Sequence, residues 1–92
     1  MKSNALRIDS KDNVVIATRP IGKGDAVVMN GEAVCHAAED VALGHKVALA
    51  PIRSGDAVVR YGEPIVQATR DIGPGEWVHV HNTQPIPGDL RE

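Results

Sequence analysis

The sequence predicts a small all-β domain made of two similar halves, and three observations carry the prediction. Apolar residues fall in short runs rich in Val and Ile. Gly, Asn, Asp and Pro interrupt these runs at short intervals. Residues 20–50 match residues 51–81 without a gap, most visibly as "PIGKGDAVV" against "PIRSGDAVV". β-branched runs bounded by turn residues read as strands. At the offset of 31, 13 of the 31 aligned pairs are identical, among them Gly24/Gly55, Asp25/Asp56, Gly31/Gly62, Glu32/Glu63, Asp40/Asp71, Gly44/Gly75 and Val47/Val78. A tandem duplication explains this agreement. Two copies are too few for a solenoid, which needs at least about three. One domain with approximate two-fold symmetry follows.

Taken in order, strands are expected at 5–8, 14–18, 26–29, 33–36, 46–49, 57–60, 65–69 and 77–81. Only 37–43, "AAEDVAL", leans towards helix, and it is short. Each half twice carries an aliphatic residue, two further residues and a Gly: "IGKG", "VALG", "IRSG" and "IGPG". In the last, Pro74 presets the first centre of a type II turn and Gly75 accepts the positive φ of the second. The repeat extends this to Gly24, Gly44 and Gly55, with Ile21, Val41, Ile52 and Ile72 pointing inward as plugs. Asn30-Gly31 is a hairpin signal, so its mate Gly62 should also need φ above zero. Residues 1–83 form the domain, and the Pro- and Gly-containing stretch 84–92 reads as a flexible tail or linker.

Composition narrows the function. The 92 residues allow one domain at most. With no Phe, one Trp and one Tyr, the core must be aliphatic. A net charge of −2, with both signs mixed along the chain, argues against a nucleic-acid binder and a polybasic membrane anchor. Cys35 is the sole cysteine, which excludes an intrachain disulfide and a cysteine-rich zinc site. Its mate is Val66, as expected for a small buried hydrophobe. The first residues lack a signal-peptide apolar segment and no run approaches a membrane span, so a cytoplasmic protein is expected. "GKGD" at 22–25 lacks P-loop spacing and its helix.

Three stretches, "DVALGHKVAL", "VVRYGEPIVQATRDI" and "GEWVHVHNT", resemble the N-terminal SAF (β-clip) domain of the altronate and galactarate dehydratase family. They are also similar to the separate small subunit of sulfolactate sulfo-lyase. The resemblance covers about Asp12 to Thr83. It implies a SAF/β-clip fold and a place in a hydro-lyase that dehydrates an anionic sugar acid to a 2-keto-3-deoxy acid. It also implies a divalent metal, Fe(2+) or Mn(2+), and a large catalytic subunit as partner, since in single-chain members a much larger catalytic region follows this domain. The chain alone is then expected to be inactive. A sulfo-lyase small subunit and a non-catalytic assembly module are the rival readings. Homo-oligomerisation is open.

The duplication points independently to candidate residues. Positions kept in both halves are explained by folding. Positions where one half gains a reactive side chain are functional candidates: His36/Gln67, His45/Glu76, Lys46/Trp77, Ala48/His79 and Ala50/His81. Three of the four histidines thus fall in 44–46 and 77–82, equivalent places that a two-fold axis can bring together. On a continuous strand, Val78 and Val80 would face the core, and Trp77, His79 and His81 the other side. The two histidine Cα atoms would then lie about 6–7 Å apart, a spacing at which imidazoles can share a metal ion. Such a pair needs a further ligand, which His45 or a partner's carboxylates can supply. The alternatives are a solvated histidine face, or contact with a substrate carboxylate or the partner. His79, His81 and His45 are therefore the metal candidates, and His45, Lys46 and Asn82 the substrate-binding candidates. His45 can also serve the turn backbone, and Asn82 can cap the strand. Glu32, Glu63 and Tyr61 are assigned to turns and packing, and His36 to the exposed surface.

Overall fold

The computed structural model describes residues 1–87. Nine strands are assigned among them: β1 (Ala5–Leu6), β2 (Val14–Ala17), β3 (Ala26–Met29), β4 (Glu32–His36), β5 (Lys46–Ala48), β6 (Ala57–Arg60), β7 (Glu63–Ala68), β8 (Trp77–Val78) and β9 (Thr83–Gln84). All pairings are antiparallel. They form a four-stranded sheet in the order β1-β2-β5-β8, a β3-β4 hairpin and a three-stranded sheet β6-β7-β9. The all-β class expected from the sequence is the class observed.

The duplication is visible strand by strand. Both hairpins bulge at the same place, between Val27 and Val28 and between Val58 and Val59. Ile21 exchanges both backbone hydrogen bonds with Val41, and Ile52 does the same with Ile72. These four plugs are at most 2% exposed. The glycines that follow them, Gly24, Gly44, Gly55 and Gly75, all have φ between 85° and 92°. Asp40 and Asp71 are retained for the same reason. Each accepts a turn N–H through Oδ1, from Lys23 at 2.9 Å and from Ser54 at 2.8 Å.

The four-stranded sheet divides the interior into two clusters. Alternate residues of a strand face opposite sides. Val15, Ala17 and Val47 therefore join Ile21, Val27 and Val41 in the first cluster, while Val14, Ala48 and Val78 join Ile52, Val58 and Ile72 in the second. Cys35 is half-buried against the first cluster, and burial raises its thiol above the ordinary range.

Three expectations change. Residues 37–43 form no helix, because Ala37 donates to Asp25 O and Val41 pairs with Ile21 across the chain. The strand expected at 77–81 ends at Val78, so Val80 lies 78% exposed rather than in the core. Gln84, placed in the tail by its sequence, lies in β9 opposite Gln67. Residues 88–92 of that tail lie outside the described residues.

Candidate functional site

Asn82 explains why β8 stops. Its Oδ1 accepts the His79 N–H at 3.0 Å, its own N–H donates to His79 O at 3.2 Å, and its Nδ2 donates to Trp77 O at 2.9 Å. Thr83 Oγ1 adds a bond to His79 O at 2.8 Å. Residues 79–82 are thereby drawn into a tight turn. Asn82 is fully buried, and both ends of its amide serve this turn. The structure gives it the capping role rather than an open face for a substrate.

The turn still gathers the histidines, by a different route from a flat strand. Trp77 is the common partner. His79 stacks on it, with centroids 4.9 Å apart and planes 11° from parallel. His81 lies 4.9 Å away at 38°, and His45 5.6 Å away at 47°. His45 and His79 touch directly, with centroids 5.1 Å apart. These separations are those of ordinary aromatic contacts. The two halves of the repeat therefore do meet at this edge. His36 stands apart, exposed on β4 opposite Ala26.

Every polar group of Trp77 is engaged. Its backbone N–H donates to Glu39 Oε2 at 3.1 Å, its carbonyl accepts from Asn82, and its indole Nε1–H donates to His45 Nδ1 at 3.1 Å. The last bond fixes the chemistry of His45. With Nδ1 accepting, a neutral imidazole carries its proton on Nε2. His45 therefore offers a hydrogen-bond donor at Nε2, not a free lone pair.

This bears on the metal. Ligation needs an unprotonated nitrogen, and in His45 the only such nitrogen is occupied by the indole. His79 and His81 remain, two ligands where a closed site takes about four. Among the described residues, no group of three or more His, Cys, Asp or Glu side chains is arranged to hold a metal ion. The expected trio His45, His79 and His81 is not among such groups.

Charge favours a different partner. Lys46, on β5 directly opposite Val78, is half-buried. Its ammonium is held below the ordinary range, first by burial and then by the nearby Arg60. His79 is also held below the ordinary imidazole range, by partial desolvation first and then by the positive fields of His45, Lys46 and His81. The edge gathers an ammonium and three imidazoles, a set of donors suited to an anion.

Two surfaces frame the cluster. A pocket of about 390 Å³ lined by Pro20, Ile21, Asp40, Val41 and Ala42 opens against Trp77. Its counterpart in the second half, lined by Pro51, Ile52, Asp71 and Ile72, has no tryptophan. Leu43 (62% exposed) and Val80 (78%) flank the histidines and leave apolar surface in the open. Two residues here were not singled out from sequence. Glu39, which positions Trp77, pairs with Arg70 in the repeat, and Arg60 pairs with Met29. Both pairs break the duplication, and that signal was available.

Comparison with known proteins agrees with the all-β SAF fold. Residues 3–85 match the family described as Altronate/galactarate dehydratase SAF domain. The chain is also 40% identical over 86 residues to an altronate dehydratase of Bacillus subtilis (strain 168), an alignment that covers 94% of this chain and 17% of that protein. Among the described residues, no helix is long and apolar enough to cross a membrane. This all-β chain, with its doubled turns and its histidines gathered at one edge, belongs to the SAF-domain family of the altronate and galactarate dehydratases.

Proposed function

We propose that the chain is the small, N-terminal component of a sugar-acid dehydratase, and that it lends substrate contacts to an active site built mostly by a larger polypeptide. The observation that carries this reading is the meeting of His45, His79 and His81 around Trp77, at an edge where the two halves differ in reactive side chains. The chain spans 17% of the altronate dehydratase it matches, which leaves ample room for a catalytic region elsewhere. Exposed Leu43 and Val80 give such a region an apolar rim to cover.

Dehydration of a sugar acid removes a weakly acidic proton next to a carboxylate and expels a hydroxyl. Negative charge builds on the carboxylate oxygens as the proton leaves. Groups that donate to those oxygens stabilise the developing charge. His45 Nε2–H and the Lys46 ammonium fit that task. A neutral imidazole is competent to accept a proton or to hydrogen-bond a hydroxyl, and the depressed titration of His79 favours that neutral form. A divalent ion such as Fe(2+) or Mn(2+) would find two ligands here, His79 and His81, and would take the remainder from the larger polypeptide. The same scaffold can be asked to serve sulfite expulsion instead of water loss.

The test is an assay of the chain assembled with its large partner. Keto-acid formation from altronate or galactarate is expected, with no turnover by the chain alone. Sulfite release from sulfolactate without dehydration of either sugar acid would replace this reading with the sulfo-lyase.

A further inference from the structure

Arg60 occupies the place where the repeat puts a methionine at the rim of the core. Its counterpart Met29 packs against the first cluster. The surroundings are otherwise alike. Ala-Val-Val precedes both residues, a bulge falls at the same point of both hairpins, and a glycine of positive φ closes both turns. An arginine here is costly for folding alone. Its stem is half-buried, and its Nε is shielded from solvent with no hydrogen-bond partner among the described residues. An unmet buried donor carries a desolvation penalty. Among the described residues the guanidinium makes one hydrogen bond, a long one from Nη2 to Tyr61 Oη at 3.4 Å.

The neighbours sharpen the imbalance. Tyr61 stands where the first half has Asn30, 58% exposed, with φ of 58° and its ring 4.8 Å from the guanidinium carbon. The buried Asp12 clamps this turn by accepting the Gly62 N–H at 2.8 Å. Asp12 Oδ2 accepts the Asp9 N–H at 3.0 Å, so its carboxylate is committed to backbone amides. The charged group that acts on Lys46 is Arg60. Arg60 lies within electrostatic reach of the half-buried Lys46, and an anion at the Arg60 edge both meets the unmet donor and relieves that repulsion. A guanidinium fork matches the two oxygens of a carboxylate.

We propose that Arg60 and Lys46 form a carboxylate-binding position, walled by the Tyr61 ring and adjoining the histidine cluster, that takes a carboxylate of a small organic acid. The carboxylate pairs with the Nε–Nη2 edge after a rotation of the Arg60 side chain and displaces the long bond to Tyr61. This deepens the dehydratase reading and rests on it only for the choice of acid.

The test uses the full chain labelled with nitrogen-15, titrated with galactarate and, as a neutral control, with galactitol. The Arg60 Nε–H resonance is expected to shift saturably with galactarate and not with galactitol. Arg60→Met, which copies the first half of the molecule, is expected to fold with an unchanged or higher Tm and to bind galactarate more weakly by about tenfold or more, the scale of one charge-assisted pair. Arg60→Lys keeps the charge without the fork and should fall between. The imidazole signals of His45, His79 and His81 report the neighbouring site separately. If they respond to galactarate while Arg60 stays silent, the histidine reading stands and this proposal falls. If Arg60 alone responds, the reverse holds. A wild-type chain with no saturable Arg60 shift, or an Arg60→Met variant that binds as tightly as its parent, overturns it.

Discussion

The indole of Trp77 donates its Nε1–H to Nδ1 of His45, 32 residues earlier, and so joins the two halves of the duplication through side chains alone. Their backbones already pair between β5 and β8. The added bond is specific to this edge, because the repeat mates of these residues are Glu76 and Lys46.

Removing the indole donor should release His45. In Trp77→Phe the ring packing is partly kept and the hydrogen bond is lost. Imidazole nitrogen-15 shifts should show His45 passing from a fixed Nε2–H tautomer to a mixture. Stability should fall by about 1–3 kcal/mol, combining one lost hydrogen bond with a partial loss of buried area. An unchanged tautomer would mean that the bond does not set the state of His45.

His79 should titrate below its ordinary value of 6.5. Its folded value lies below its unfolded one, so folding favours the neutral form. The resulting penalty is absent well above pH 6.5 and grows as pH falls through that value, which makes the fold less stable in acid. Lys46→Met removes one of the positive fields and should raise the His79 titration point. A proton NMR titration of both proteins checks the direction.

Much of this was legible in the sequence because the duplication repeats its reasons. The plugs Ile21, Val41, Ile52 and Ile72 and the glycines after them could be placed from one Pro-Gly turn and an offset of 31. The end of β8 was not legible in that way. "WVHVHNT" has strand alternation, and only the burial of the Asn82 amide against His79 and Trp77 overrides it. Also hidden was the equivalence of Asn4 and Asn13. Asn4 bonds Ala26 O and the Val28 N–H; Asn13 bonds Ala57 O and the Val59 N–H. The hairpins they hold are 31 residues apart, but the asparagines are nine apart, so no single offset aligns the whole repeat. The histidine cluster was found through broken repeat pairs, while the state of His45 depends on a side-chain bond that no pattern encodes.

The four turn glycines should not be equal. A Cβ at Gly24 meets nothing, so Gly24→Ala bears only the strain of its φ of 88°, about 1–2 kcal/mol. A Cβ at Gly75 would collide with the backbone carbonyl of His36, and Ala38 donates to Gly75 O at 2.9 Å across the same contact. Gly75→Ala should cost more than about 4 kcal/mol or prevent folding. Denaturant melts of the two variants give the comparison.

Asn82→Ala should loosen the 79–82 turn. It leaves the His79 N–H and the Trp77 carbonyl unmet, at about 1–3 kcal/mol for each buried group. The stacked geometry of His79 on Trp77 should be lost as well, visible as a reduced ring-current shift on the His79 protons. Retained shifts at lowered stability would show that stacking, not Asn82, holds the imidazole.

The most direct measurement is turnover of the assembled dehydratase carrying His79→Ala and His81→Ala together, with assembly followed by sizing in parallel. A fall of about a hundredfold or more in kcat/KM with assembly intact, the scale of a lost acid–base or charge-stabilising group, is the predicted result. Turnover equal to the parent in a fully assembled complex would contradict the account and leave the chain as an assembly module alone.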